Sequence, residues 1–292
     1  MIISAKEVAK LREITDCGMM ECKKALTETG GDIEKAVEFL RSKGIAKAAK
    51  VSGRIAAEGI IVIKTNCAAS EAVMLEINCE TDFVARDSGF LDFVNKVAET
   101  ALKTKSGTLE ALGHAKLDNG VVVDSARKDL IAKIGENITL RRVIYFSSQH
   151  VIGSYVHGNK IGVLVLMEGG DTELQRDIAM HIVASKPVVI GAADVSQELI
   201  AKEEYIYSEQ AKESGKPQDI VAKMVQGRIK KFVNEISLEG QLFVKDPNIT
   251  VKELLVSKGA RVVEFVRFEL GEGIEKRKVD FAAEVMEQLK GS

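Results

Sequence analysis

The sequence predicts an α+β fold with helical modules added to it, and three features carry that prediction. Helical patterns closed by glycine fill about the first fifty residues. Pairs of alternating apolar runs begin near residues 59 and 151, and each pair leads into an amphipathic helix. The order hairpin, helix, helix, strand then occurs twice, which points to a duplicated core.

Residues 1–54 form the first unit. Ser4-Ala5-Lys6-Glu7 is a capping box, with Val8, Leu11 and Ile14 following at helical spacing. Gly18 separates this helix from a second that opens on Met19-Met20 and is closed by Gly30-Gly31. Asp32 caps a third helix, with Ile33, Ala36, Val37 and Leu40 on one face and a stop at Gly44. Three short helices resemble a ubiquitin-associated type of module, which buries little and suits docking. Neighbouring helical positions point in different directions, so one of Met19 and Met20 is expected outside. An exposed methionine is an adaptable contact. An Ala- and Lys-rich linker follows, from residue 45 to 54.

Residues 55–147 form the N-terminal half of the core. Strands at Gly59 to Lys64 and Val73 to Cys79 make a hairpin. A helix with Phe90, Phe93, Val94 and Val97 inward follows, then a polar stretch, a helix closed by Gly135, and a strand from Ile138 to Phe146. Residues 148–187 and 236–270 repeat the order, with a hairpin turning at His157-Gly158-Asn159, a helix opened by a Thr172 to Gln175 capping box, a short helix from Thr250 to Gly259, and a last strand. Residues 188–235 are an insertion. Gly215-Lys216-Pro217 stops one helix and starts another, giving an antiparallel helical hairpin. Gly271-Glu272-Gly273 ends the core, and residues 271–292 close on an amphipathic helix with Phe281, Val285 and Leu289.

The stretch Thr81-Asp82-Phe83-Val84-Ala85-Arg86 joins a strand to a helix without the Gly, Asn, Ser or Pro usual in such connections, offering an acid, a phenylalanine, two small apolar residues and an arginine. A large apolar side chain there either staples the loop to its own helix or reaches for a partner.

The net charge of −2 over 292 residues gives no global attraction for nucleic acid or anionic membrane. Tryptophan is absent and aromatic residues are few, which argues against base-stacking platforms. No apolar run reaches membrane-spanning length, and the first residues are neither a signal nor a transit peptide. Cys17, Cys22, Cys67 and Cys79 have no CxxC spacing, several sit in apolar patterns, and all fit a reducing cytoplasm. His114, His150, His157 and His181 show no metal-ligand spacing. No phosphate-binding loop and no nucleophile elbow occurs. The pairs Lys23-Lys24, Arg141-Arg142 and Lys230-Lys231 lie among acids and read as solvated faces. An RNA-binding accessory protein and a thiol or metal enzyme are therefore the weaker readings. No cofactor is expected.

Several ordered motifs together resemble the translation elongation factor Ts family. They are Gly18 to Leu26, Gly31 to Ala36, Thr81 to Arg86, His157-Gly158 with Ile161-Gly162-Val163, Ser185-Lys186-Pro187, Gly271 to Lys276 and Asp280 to Val285. The resemblance covers essentially the whole chain. It implies a guanine-nucleotide exchange factor for elongation factor Tu, acting on that protein's GDP and Mg2+ without covalent chemistry. It implies a coiled-coil hairpin and a C-terminal helical module. It places partner contacts at Thr81, Asp82, Phe83, Val84, Ala85 and Arg86, with Phe83 entering an apolar pocket and Asp82 disturbing the magnesium and phosphate region. Further contacts are implied at Met19, Met20 and Arg12, at His157 and Gly158, and at Phe281 and Val285. A homodimer is compatible with it. Asn159-Lys160 departs from the family's arginine before Ile-Gly, and lysine keeps the charge without the bidentate fork.

Overall fold

The computed structural model describes residues 3–15, 17–212 and 217–275. Its N-terminal unit is a bundle of α1 (Ala5–Thr15), α2 (Met19–Glu28) and α3 (Ile33–Val51) around Leu11, Cys22, Ala25, Leu26 and Ala36. The two expected caps form. The Glu7 carboxylate accepts from the Ser4 N–H at 2.8 Å, and Asp32 accepts from the Lys35 N–H at 3.1 Å. Two expectations fail here. Ile14 is exposed, and α3 runs through Gly44 to Val51 instead of stopping. A Cβ on Gly44 would sit 2.9 Å from the Ala132 methyl, so this glycine lets α3 cross closely over a core helix. The adjacent Lys47 ammonium donates to the Ala132 carbonyl at 2.7 Å.

The first half of the core is β1 (Glu58–Thr65), β2 (Glu71–Cys79), α4 (Ser88–Lys103), α5 (Leu109–His114), α6 (Val123–Ile134) and β3 (Thr139–Ser147). The second is β4 (Ile152–His157), β5 (Ile161–Glu168), α7 (Thr172–Ser185), α10 (Val251–Ser257) and β8 (Arg261–Glu269). Each half builds a three-stranded antiparallel sheet with its second strand central, in the orders β1-β2-β3 and β4-β5-β8. Each central strand carries one irregularity against the third strand, at Glu76/Ile77 and at Leu166/Met167. The two sheets are thus alike in strand order and in the position of this irregularity. Helix α7 is capped by Asp171, not by Thr172. Its side chain accepts from the Leu174 N–H at 2.8 Å.

Strand alternation sorts the core into layers. Val73, Leu75 and Ile77 of β2 face Phe90, Val94, Val97 and Ile131 of α4 and α6. Val163, Val165 and Met167 of β5 face Leu174, Ile178, Ile182 and Leu255 of α7 and α10. The opposite faces meet sheet to sheet through Ile61, Ala72, Met74, Ile152, Leu164 and Phe268. Gly162 permits that approach, since a Cβ there would lie 2.6 Å from Ile61 Cγ2 and 2.8 Å from Met74 Sδ.

A buried ion cluster also ties the halves together. Glu76 is fully buried in β2. It meets Arg141 Nη1 at 2.8 Å and Arg142 Nε at 2.5 Å, and it accepts the Gly271 N–H at 2.8 Å. Arg141 donates to the Glu272 carbonyl, and Arg142 donates to the Glu269 carbonyl while covering the Phe268 ring. Burial pushes the Glu76 carboxyl up, but these donors outweigh it and hold the group below its ordinary value. The arginine pair is thus a structural clamp, contrary to its reading as a solvated face.

The insertion is α8 (Gln197–Lys212) and α9 (Gln218–Ile236), packed on one another with Ala211 and Val225 buried, and with Tyr205 and Ile220 exposed. The short strands β6 (Leu242–Phe243) and β7 (Asp246–Thr250) lead back into the core. At this return, the buried His181 accepts the Val244 N–H on Nδ1 at 3.2 Å and faces Gln241 Oε1 through Nε2 at 3.0 Å. Nε2 therefore carries the proton. The Gln241 amide is oriented by its donation to the Glu235 carbonyl at 2.6 Å.

Burial pushes the His181 pKa below its ordinary 6.5. The unfolded chain then takes up the proton at higher pH than the folded one. This contribution to stability is full above about pH 6.5 and is lost as pH falls toward the folded value. Chemical denaturation at pH 7.5 and 5.5 should show a fall of at most about 1.4 kcal/mol per pH unit from this site. His181→Gln should flatten that fall, and an equally steep one in the variant would exclude the histidine as its source.

Candidate functional site: an exposed phenylalanine on a braced loop

The six residues after Glu80 form one tight turn, and its outward and inward sides differ sharply. Val84 is buried in the core beneath α4, and Ala85 packs against the same cluster. Phe83 stands 83% exposed between Asp82 and Val84. The loop is thus stapled by Val84, and the large aromatic side chain is left outside. Asp82 and Arg86 bridge the turn at 3.2 Å, with Arg86 mostly exposed.

Three backbone hydrogen bonds brace this turn. The Ala85 N–H donates to the Thr81 carbonyl at 3.2 Å, the Arg86 N–H to the Phe83 carbonyl at 3.1 Å, and the Asp87 N–H to the Val84 carbonyl at 3.0 Å. Asp87 then caps α4, accepting from the Gly89 N–H at 2.9 Å and the Phe90 N–H at 3.1 Å. On the other side, Glu136 reaches across from the turn after α6. Its Oε2 accepts the Glu80 and Thr81 N–H groups at 3.1 and 3.0 Å, and its Oε1 accepts the Thr81 hydroxyl at 2.7 Å. The Cys79 thiol donates to the Thr81 carbonyl at 3.1 Å. Burial first, with the Glu136 carboxylate adding to it, pushes that thiol up to about 12. Cys79 is accordingly an inert prop rather than a nucleophile. Cys22 is likewise buried, Cys17 is half-buried and Cys67 is exposed.

The other sequence-predicted residues fall on separate surfaces. Met19 and Met20 open α2, and both are exposed, at 60% and 74%. The expectation of one outside is exceeded, because Gly18 starts the helix there and, among the described residues, its first turn is left uncovered. Arg12 is exposed near the end of α1, and Ile14 adds a further exposed apolar side chain to that end. His157 and Gly158 are exposed in the β4–β5 turn, where Gly158 and Asn159 both take positive φ, at 56° and 58°. Two such residues match the type I′ turn that suits strand twist. The Asn159 carbonyl of that turn accepts the Ile61 N–H at 2.8 Å, anchoring it to β1. Phe281 and Val285 lie outside the described residues.

Sequence reading missed Glu136. The signal was present: an acid directly after the helix-ending Gly135 sits at the negative end of the α6 dipole, where it is disfavoured unless other donors hold it. Among the described residues, no group of three His, Cys, Asp or Glu side chains is placed to hold a metal ion. No described helix is long and apolar enough to cross a membrane.

The arrangement is a rigid apolar finger beside a small ion pair, accompanied by separate exposed contact patches. Comparison with known proteins agrees in placing the chain. The family model described as elongation factor TS matches residues 80–272. The chain is 56% identical to elongation factor Ts of Alkalilimnicola ehrlichii over 293 residues, covering all of both chains. It is equally similar to that of Methylococcus capsulatus, and 53% identical over 288 residues to that of Legionella pneumophila, covering 99% of each. With the family model spanning the braced loop and the core from there to its last strand, and with full-length relatives at 53–56% identity, the chain belongs to the elongation factor Ts family.

Proposed function

We propose that this chain binds elongation factor Tu loaded with GDP and promotes release of the nucleotide, so that GTP can rebind during protein synthesis. The observation that carries the reading is Phe83, exposed at the tip of a loop whose backbone is pinned on both sides. Leaving a phenylalanine in water forgoes about 1.5–3 kcal/mol of burial, which a partner pocket recovers. Little ordering entropy is lost on insertion, because the turn is already fixed.

Linkage sets what such a contact must do. A partner protein that binds the factor and GDP equally well together or apart gains nothing from the encounter. Some contact must therefore be incompatible with bound GDP and Mg2+. In this reading Phe83 wedges into an apolar pocket of the GTPase, and Asp82 brings a negative charge to an already anionic phosphate site. Val84 and Ala85 hold the loop from behind, and Thr81 and Arg86 frame it. Weakening the nucleotide by about 4 kcal/mol corresponds to roughly a thousandfold in affinity. Affinity for the partner is spread over Met19, Met20 and Arg12, over His157 and Gly158, and over Phe281 and Val285. The factor holds neither the nucleotide nor the metal tightly, performs no covalent chemistry and needs no cofactor.

The modular reading follows the same division. Residues 1–54 act as a ubiquitin-associated-like docking module, 55–147 and 148–187 with 236–270 as two core halves, 188–235 as a coiled-coil hairpin, and 271–292 as a C-terminal helical module. The setting is cytoplasmic, with neither membrane nor nucleic acid as a direct partner, and a homodimer is compatible with the scheme. Stopped-flow release of a fluorescent GDP from loaded elongation factor Tu tests the proposal. Substoichiometric chain should accelerate release and turn over many partner molecules. Release at the spontaneous rate would reject it.

A further inference from the structure

The exposed apolar residues of the α8–α9 hairpin have nothing on them to identify a partner. The turn Gly135-Glu136-Asn137 is different, because its contacts converge on the functional loop from two directions.

Gly135 ends α6 with φ of 89°, a conformation that favours glycine, and so aims the next two residues back toward the β2 end. Glu136 then takes three donors of the loop entrance: two backbone N–H groups and the Thr81 hydroxyl. Asn137 returns the exchange. Its N–H donates to Glu80 Oε1 at 2.6 Å, so each segment satisfies the other's carboxylate. The Asn137 side-chain amide donates to the carbonyls of Arg54 at 2.8 Å and Ser52 at 3.2 Å, where the chain leaves α3. Arg54 completes the ring through Glu80 at 3.5 Å. A single turn thus fixes both the base of the Phe83 finger and the exit of the N-terminal bundle.

We infer that Glu136 is a positioning residue for nucleotide release: it touches neither partner nor nucleotide, but holds Thr81 so that Phe83 is presented in one orientation. The inference rests on the exchange-factor reading for its functional consequence, while the loop placement stands on geometry alone. Thr81 has a second duty that makes the contact consequential, since its hydroxyl oxygen also accepts the Val84 N–H at 3.3 Å. Loss of the Glu136 carboxylate frees the hydroxyl and two N–H groups at the hinge of the turn. The finger then samples several orientations, and only a fraction of encounters are productive. Affinity contributed by the remote patches is untouched.

The test uses the full chain with Glu136→Ala, Glu136→Gln and Thr81→Val, and reads two properties. Amide hydrogen exchange of residues 80–86 in the free protein should accelerate in Glu136→Ala while α4 and the sheets stay protected. In exchange assays with elongation factor Tu, the maximal rate of GDP release should fall on the order of tenfold, with the half-saturating concentration changed less than about twofold. Glutamine still offers an acceptor oxygen, so Glu136→Gln should recover most of the rate. Thr81→Val should repeat the alanine pattern if Glu136→Ala proves too unstable to assay. Unchanged loop exchange together with an unchanged maximal rate would overturn the inference. So would an equal loss of rate and affinity without rescue by glutamine. If the unaltered chain fails to accelerate release, the functional reading fails instead, and hydrogen exchange still decides whether Glu136 holds the loop.

Discussion

Phe83→Ala should slow factor-promoted GDP release from elongation factor Tu by about thirtyfold, the equivalent of a 2 kcal/mol aromatic hot spot. The same substitution should leave stability within about 0.5 kcal/mol, because an 83% exposed side chain leaves no cavity when removed. This dissociation of activity from stability separates a finger from a staple. Val84→Ala should behave in the opposite way. It sits 8% exposed in the core, so its truncation should lower stability and blur the loop secondarily. Asp82→Ala should also slow release, since it removes the charge the mechanism brings to the phosphate site and frees Arg86 from its 3.2 Å partner. Stopped-flow release and thermal unfolding of the same preparations measure both quantities. A Phe83→Ala variant that releases GDP at the unaltered rate would contradict the role given to the loop.

Glu76→Ala should cost about 3–5 kcal/mol of folding stability, the largest single loss expected outside the apolar core. The reason is the state it leaves behind. Arg141 and Arg142 would face one another with only the half-exposed Glu272 carboxylate, 3.2 Å from Arg142, to offset them, and the Gly271 N–H would lose its acceptor. Exposed pairs make the contrast. Lys103 and Asp118 lie 2.7 Å apart, yet both side chains are more than 70% exposed, and Asp118→Ala should change stability by less than about 1 kcal/mol. The Glu76 carboxyl is held below its ordinary 4.5, so its contribution is complete above that pH and disappears as pH falls through the lower folded value. Urea denaturation of both variants at pH 7 measures the difference. A Glu76→Ala loss no larger than that of Asp118→Ala would show that the cluster does not clamp the halves.

What the residues revealed beforehand depended on how local the deciding interaction was. The hairpins, the Gly135 and Gly259 stops and the caps at Ser4 and Asp32 all rest on neighbours within a few positions, and these were legible. So was the peculiarity of the 81–86 loop, because it lacks Gly, Asn, Ser and Pro where a turn was needed. Gly44 misled because its purpose is a crossing with Ala132, far along the chain. Glu136 was missed for a related reason: its place after Gly135 hinted at outside donors, but the hydroxyl it binds lies 55 residues away. Arg141 and Arg142 misled for a subtler reason. Adjacent strand residues normally point to opposite faces, but the irregularity at Glu76/Ile77 leaves Arg141 outside the regular pairing, and both guanidinium groups reach one carboxylate. The exposure of both Met19 and Met20 depended on what fails to cover the start of α2, which no pattern within the helix encodes.

The central claim is that the chain prefers elongation factor Tu without nucleotide, and calorimetric titration of the nucleotide-free and GDP-loaded forms tests it most directly. The account predicts binding tighter to the empty form by on the order of a thousandfold, and an equal factor by which the chain weakens GDP binding, since the coupling is reciprocal. Equal affinity for the two forms would contradict it, because a factor that binds both alike cannot drive GDP off.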